Sequence, residues 1–241
     1  ASLISAPHQL LAAPAQQALG PGPVIYEPNV GFGGTQFRDS NSFEVRGSLG
    51  DSLVNVGAID HSSDGSLLFV GQDNVLGGRI VGSFSLVDLI NQQVLGTINF
   101  PFIGLSECRP NSLAVLSDNS KAYVACGTNG FVEVVNINPT TGELSRSVPI
   151  FTGNPQSAQL VGSSIWVANL LGTKLVRIDP VDDTSEVVVN TSPFLMNEAV
   201  VDPFRPYAYI SHIFNSRILI GNTITGGISR TLSFAGEVID L

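Results

Sequence analysis

Four segments of the chain are written to one pattern, and that pattern leaves few folds open. LLFVGQD (67–73), AYVACGT (122–128), IWVANLL (165–171) and AYISHIF (208–214) each place an aromatic before Val or Ile: Phe69-Val70, Tyr123-Val124, Trp166-Val167 and Tyr209-Ile210. Successive aromatics stand 54, 43 and 43 residues apart. An apolar run and a turn precede each segment, VNVGAI then SSDGS in the first and SLAVL then SDNSK in the second. Two more apolar runs follow, such as KLVRID and SEVVVN in the third repeat and RILIGN and ISRTLSF in the fourth. Short apolar runs bounded by Gly, Pro, Asn, Asp and Ser read as strands and turns. No twelve-residue window sustains a 3.6-residue period, so almost no helix is expected. Four antiparallel strands per unit at a period near 43 residues describe a blade of a β-propeller. One blade cannot bury both faces of its sheet, and stacking blades around an axis does so.

The expected fold is therefore all-β, a propeller with four full four-stranded blades over about 52–236 and a partial fifth. SFEVRG (42–47) reads as one further strand and GEVIDL (236–241) as the start of another blade. Pairing of these ends would close the ring, and an open ring would leave an apolar face and a strand edge for association. The domain division is an N-terminal arm with a Gly/Asn-rich loop over 1–43 and a propeller domain over 44–241. The arm, ASLISAPHQLLAAPAQQALGPGP, has no charged side chain apart from His8 and is expected to pack on its own domain or on a neighbouring subunit.

The repeats resemble the YVTN-type β-propeller family. The resemblance rests on Tyr123-Val-Ala-Cys126 and Trp166-Val-Ala-Asn169, on Pro110-Asn-Ser-Leu-Ala114 and the shorter Pro155-Gln-Ser-Ala158, and on Ile137-Asn138-Pro139 and Ile178-Asp179-Pro180. The third repeat matches best. The first is stretched by NVLGGRIVG (74–82), and the fourth keeps only the strand pattern. The family includes surface proteins, lactonase-like enzymes and dehydrogenase subunits, so the resemblance implies a fold and leaves the activity open.

Composition narrows the function classes. The chain carries 20 acidic and 11 basic side chains, a net charge of −9, and only 13 % charged residues. Dispersed cations on an acidic chain make no basic stripe, which argues against nucleic-acid binding. No apolar run is long enough for a membrane-spanning helix. The two cysteines, Cys108 and Cys126, flank the hairpin that turns at 118–119, so a disulfide is expected. That favours a secreted or periplasmic location. Asn190-Thr191-Ser192 is a glycosylation sequon.

In such a fold the loops after the second and fourth strands open at one end of the ring. They gather Asp73, Asn74, Arg109, Asn111, Asn129, Asn154, Asn169, Asn197, Glu198, His212 and Asn215. Asp73, Asn129, Asn169, Asn197 and Asn215 are the candidate ligand-binding residues. The set suits a sugar, a carbonyl compound or a Ca²⁺ ion, whose ligands are hard oxygens. Asn also caps turns and tolerates left-handed backbone, which is the reading the sequence favours. No metal site and no cofactor are assigned. His8, His61 and His212 do not converge as zinc ligands. Asp60, His61, Ser62 and Ser63 include the residue types of a hydrolase triad, but adjacent strand residues point apart and no Gly-x-Ser-x-Gly elbow exists. Asp182, Asp183 and Glu186 read as a solvated turn tip.

The leading expectation is a non-catalytic extracytoplasmic scaffold that contacts protein partners, or itself, through propeller edges and the arm. A lactonase-like hydrolase would use Arg109, Glu198 and His212 at the channel mouth. A third reading is a propeller subunit of a redox complex whose redox centre lies on a partner.

Overall fold

The computed structural model describes residues 24–27, 36–39, 45–48, 53, 55–76, 79–101, 107–127, 130–212 and 216–234. Among them there is no α-helix, and four successive antiparallel sheets carry the repeats. The first is β4 (Val56–His61), β5 (Leu67–Leu76), β6 (Arg79–Asp88) and β7 (Gln93–Asn99). The second is β8 (Ser112–Val115), β9 (Lys121–Ala125) and β10 (Phe131–Ile137), with an outer strand broken into β11 (Leu144–Arg146) and β12 (Ile150–Phe151). Pro149 lies in the break, where a residue without an N–H cannot continue the ladder. The third is β13 (Pro155–Val161), β14 (Ser164–Asn169), β15 (Lys174–Asp179) and β16 (Thr184–Asn190). The fourth is β17 (Met196–Val201), β18 (Tyr207–His212), β19 (Arg217–Asn222) and β20 (Ile228–Ser233). Each sheet has its strands in chain order, the meander of a propeller blade.

The stretched first repeat is accommodated inside its hairpin. The β5–β6 ladder runs on through Asp73↔Gly82 and Asn74↔Val81 to Leu76↔Arg79, so the insertion lengthens two strands. Upstream, β1 (Val24–Glu27), β2 (Gln36–Asp39) and β3 (Val45–Ser48) form a three-stranded antiparallel sheet. Thus the Gly/Asn-rich part of 1–43, expected to be loop, contains the strand β2, and the strand expected at 42–47 begins at Val45. The expected pairing with 236–241 lies outside the described residues, as does the arm up to residue 23.

The aromatic-aliphatic pair of the repeat explains how blades stack. Neighbouring strand residues point to opposite faces. Phe69 enters the core between blades one and two, Tyr123 that between two and three, and Trp166 that between three and four. The following Val124, Val167 and Ile210 face the preceding blade in each case. Tyr209 is the fourth aromatic. It pairs with Val200 and Ile220 on the other face of blade four and is half-buried.

Polar sutures cross each junction. The backbone N–H of Val115 donates to Asp60 Oδ2 at 3.1 Å. Ala158 N donates to Ser112 Oγ at 3.1 Å, and Gln159 Nε2 donates to Ala199 O at 3.2 Å. Asp60 is thereby engaged as a structural acceptor, and His61 Nδ1 lies 2.9 Å from Ser62 O. Tyr123 Oη and Lys121 Nζ both donate to Asp183 across the junction of blades two and three. Asp183, expected at a solvated tip, is instead an inter-blade acceptor. Asp182 caps Thr184, and Glu186 pairs with Arg177.

The turns between third and fourth strands are built alike. Asp88, Asn138, Asp179 and Asn222 each accept the N–H two residues on, from Ile90, Thr140, Val181 and Ile224. Asp202 does the same for Phe204 in a turn between first and second strands. This side-chain turn closes the backbone locally and leaves the residue two positions on projecting outward.

Candidate functional site

The end of each sheet where the second strand finishes is the end where the chain arrives from the preceding blade. The residue three positions after the repeat aromatic stands there in blades two, three and four, as Cys126, Asn169 and His212, and its counterpart Gln72 lies inside the longer β5 of blade one. All four are buried. In blades two, three and four that residue grips the incoming connection. Cys126 is disulfide-bonded to Cys108, as expected. The side chain of Asn169 lies against Gly153 in the connection between blades two and three. The His212 ring meets Phe194 edge-on at 5.4 Å. One sequence position thus supplies a clasp of a different chemistry in each of these three blades.

The clasp at Cys126 holds the connection 107–110 flat on the first blade. Gly57, Gly71 and Gly82, on three adjacent strands, form the furrow that receives it. A Cβ on Gly57 would come within 2.1 Å of Pro110 O, and one on Gly82 within 1.9 Å of Cys108 O. Glu107 and Arg109 on this strap stand 3.8 Å apart. Both act electrostatically on Asp73. Burial pushes the Asp73 carboxyl above the usual carboxylate range, Arg109 pulls it down and Glu107 adds to the rise. Asp73 Oδ1 is buried without a hydrogen-bond partner.

The expected mouth residues are distributed over successive blades. Asp73 and Arg109 belong to the junction of blades one and two. Asn111 Nδ2 donates to Gln156 Oε1 at 3.0 Å between blades two and three. Asn169 ends β14, with Nδ2 donating to Lys174 O at 3.0 Å. Asn197 and Glu198 lie on β17 and His212 ends β18, so two of the three candidate catalytic residues share blade four, and Arg109 sits on the strap against blade one. Glu198 N donates to Ser211 Oγ. Asn129 and Asn215 lie outside the described residues. Among the described residues no group of three or more His, Cys, Asp or Glu side chains could hold a metal. Two shallow clefts, lined by Arg177 and Glu186 with Asp179 or Ile224, lie on the outer strands of blades three and four, and no mouth residue lines them.

Sequence reasoning did not identify Glu133 or Thr152. Glu133 is a fully buried carboxylate on β10, held by Arg146 Nε at 3.0 Å and Nη2 at 2.8 Å. An acidic residue at a core position of FVEVVNI was the available signal. Thr152 lies in an irregular connection and gave no signal.

Compared with models of protein families and with curated proteins, the chain matches none. Among solved structures 1116 chains match, so the fold is widespread and does not by itself define an activity. A hydrazine synthase of Kuenenia stuttgartiensis is similar over 76 % of this chain and 50 % of its own, at 19 % identity and a TM-score of 0.60. A dihydro-heme d1 dehydrogenase, NirN, solved in complex with DHE, is similar over 95 % of this chain and 47 % of its own, at 15 % identity and a TM-score of 0.71. The chain spans about half the length of each. At these identities the likeness establishes the fold, and the chain is a β-propeller of four-stranded antiparallel blades.

Proposed function

We propose that this chain is a non-catalytic, extracytoplasmic propeller module that docks a protein partner through its fourth blade. The observation that carries the reading is the exposed apolar surface of that blade. Phe204 is 93 % exposed and Ile224 80 %, both on capped turns joined by the bond from Thr223 N to Pro206 O. Val200, 37 % exposed, lies on the sheet beside Tyr209, in the orientation that the other blades bury. Exposed apolar side chains grouped on one blade favour an interaction site there. The disulfide supports an oxidising compartment. The Pro110, Pro155, Ile137 and Ile178 elements support placing the repeats in the YVTN type.

A second reading is favoured by the similar structures. Both come from larger chains, one a synthase and one a dehydrogenase, and a propeller half of a redox assembly would need the same docking surface. The native particle should be purified from its source and its mass measured by light scattering, with its chains identified by denaturing mass spectrometry. A complex that dissociates when Phe204→Ser and Val200→Ser are introduced together supports docking. A redox-cofactor protein as the bound chain supports the second reading. A particle with the mass of one chain at every concentration, with no second chain, overturns both.

A further inference from the structure

We propose that the junction of blades two and three binds a monovalent cation of the ammonium or potassium class, held by Thr152, Asn154 and Asn169. Among the described residues, three of the four buried side-chain oxygens that have no hydrogen-bond partner are in these residues: Thr152 Oγ1, Asn154 Oδ1 and Asn169 Oδ1. A buried acceptor without a donor costs about 1–3 kcal/mol, so three on one connection and the strand end beside it call for a donor or a cation that the protein itself does not supply.

The local backbone brings them together. Thr152 to Asn154 is the whole connection between β12 and β13. Thr152 N and Gly153 N both donate to Gly130 O, at 3.0 and 3.2 Å, which curls the connection. Pro155 pairs directly with Asn169, and Leu170 N donates to Asn154 O at 2.7 Å. Asn169 is only 2 % exposed. Its amide nitrogen is committed to Lys174 O, which fixes its oxygen on the opposite side, towards the connection. A Cβ on Gly153 would lie 3.1 Å from that oxygen, and Gly153 has a φ of +126°, which disfavours a side chain. Glycine therefore leaves out the side-chain atom that would crowd Asn169 Oδ1.

The donor set selects the ligand. All three atoms are neutral oxygens of amide or hydroxyl type. Divalent calcium is ordinarily held by carboxylates among its six to eight oxygens. Potassium is held by rings of neutral carbonyl oxygens, and ammonium can donate a hydrogen bond to each of three acceptors. The chain's net charge of −9 raises the local concentration of either ion.

The melting temperature should be measured in potassium, ammonium, calcium and choline chlorides at equal ionic strength. Potassium or ammonium at about ten times its dissociation constant should raise it by roughly 3–6 °C over choline. Thr152→Val, which keeps the shape and removes one oxygen, should abolish the rise. Thallium(I) soaked into crystals of the unaltered protein gives a direct reading should that variant fail to fold, with an anomalous peak among the three oxygens expected. ¹⁵N-ammonium resonance shifts separate ammonium from potassium as the preferred ion. Melting that is the same in potassium, ammonium and choline, a rise that survives in Thr152→Val, stabilisation by calcium alone, or no thallium peak would each overturn the proposal. None of these results bears on partner docking at blade four.

Discussion

Tyr123 Oη donates a 2.5 Å hydrogen bond to Asp183 Oδ1, tying the second strand of blade two to an outer turn of blade three. Burial and the Asp183 carboxylate both raise the Tyr123 hydroxyl far above the usual phenol range. Lys121 Nζ reaches the same carboxylate at 3.0 Å. Tyr123→Phe should cost about 1.5–3 kcal/mol in urea unfolding, the range for a hydrogen bond to a charged acceptor. A double-mutant cycle with Asp183→Asn should show coupling of at least about 0.5 kcal/mol. Additive single costs would mean that the bond does not hold the junction.

The disulfide should matter as a staple of chain entropy. Cys108 and Cys126 are 18 residues apart, and closing a loop of that size is worth about 3 kcal/mol in the unfolded chain. Replacing both cysteines by Ala should lower stability by about that amount and raise amide exchange along 107–109 before it does so on the strands. Exchange unchanged on the strap would show that the glycine furrow alone holds it.

Gly82→Ala tests that furrow. The new Cβ would collide with Cys108 O, a backbone atom on a tethered strap, so the sheet or the strap must move. A loss of about 1–3 kcal/mol is expected, typical of overpacking. Gly227→Ala is the control, because nothing lies within 4 Å of its Cβ position. Equal effects at the two sites would contradict the close approach.

Arg146→Ala should strand a buried carboxylate. Glu133 is inaccessible, and burial pushes its carboxyl above the usual range against the pull of Arg146. Breaking such a pair from one side costs about 3–5 kcal/mol. Arg146→Ala with Glu133→Gln should recover part of the loss. A single variant as stable as the parent would mean that water reaches Glu133.

Acid should destabilise the fold only at low pH. The Ser62 and Ser66 hydroxyls and the Ser66 N–H hold the Asp64 carboxyl down at about 2. The Ser120 hydroxyl lowers Asp118, and the Thr184 hydroxyl lowers Asp182. A carboxyl lowered in the folded state contributes fully above its unfolded value, near 4, and that contribution is lost as pH falls through the folded value. Asp73 and Glu133 are raised, so their protonation favours the fold as pH falls through their higher values. The urea midpoint should therefore drop mainly between about pH 4 and pH 2, and less steeply in Asp64→Asn. A midpoint that is flat over that interval would refute the capping account.

The blade pattern was legible because it is local. Alternation in Tyr123-Val124 and Trp166-Val167 assigns one face to each side chain, and Asp or Asn before each outer turn closes that turn with its own carbonyl or carboxylate. These signals need only neighbours in sequence. The disulfide of Cys126 was expected from the sequence, but the clasps made by Asn169 and His212 were not. Whether Gln72, Cys126, Asn169 or His212 meets a cysteine, a glycine or a phenyl ring depends on a connection from another blade. The role of Asp183 was likewise hidden, since Lys121 and Tyr123 lie some sixty residues away and reach it only when two blades stack. Strand order and turn type follow from period and local hydrogen bonding. Burial of Glu133, the orphaned oxygens beside Gly153 and the half-covered Tyr209 were decided by stacking, because desolvation depends on what the ring brings near a side chain.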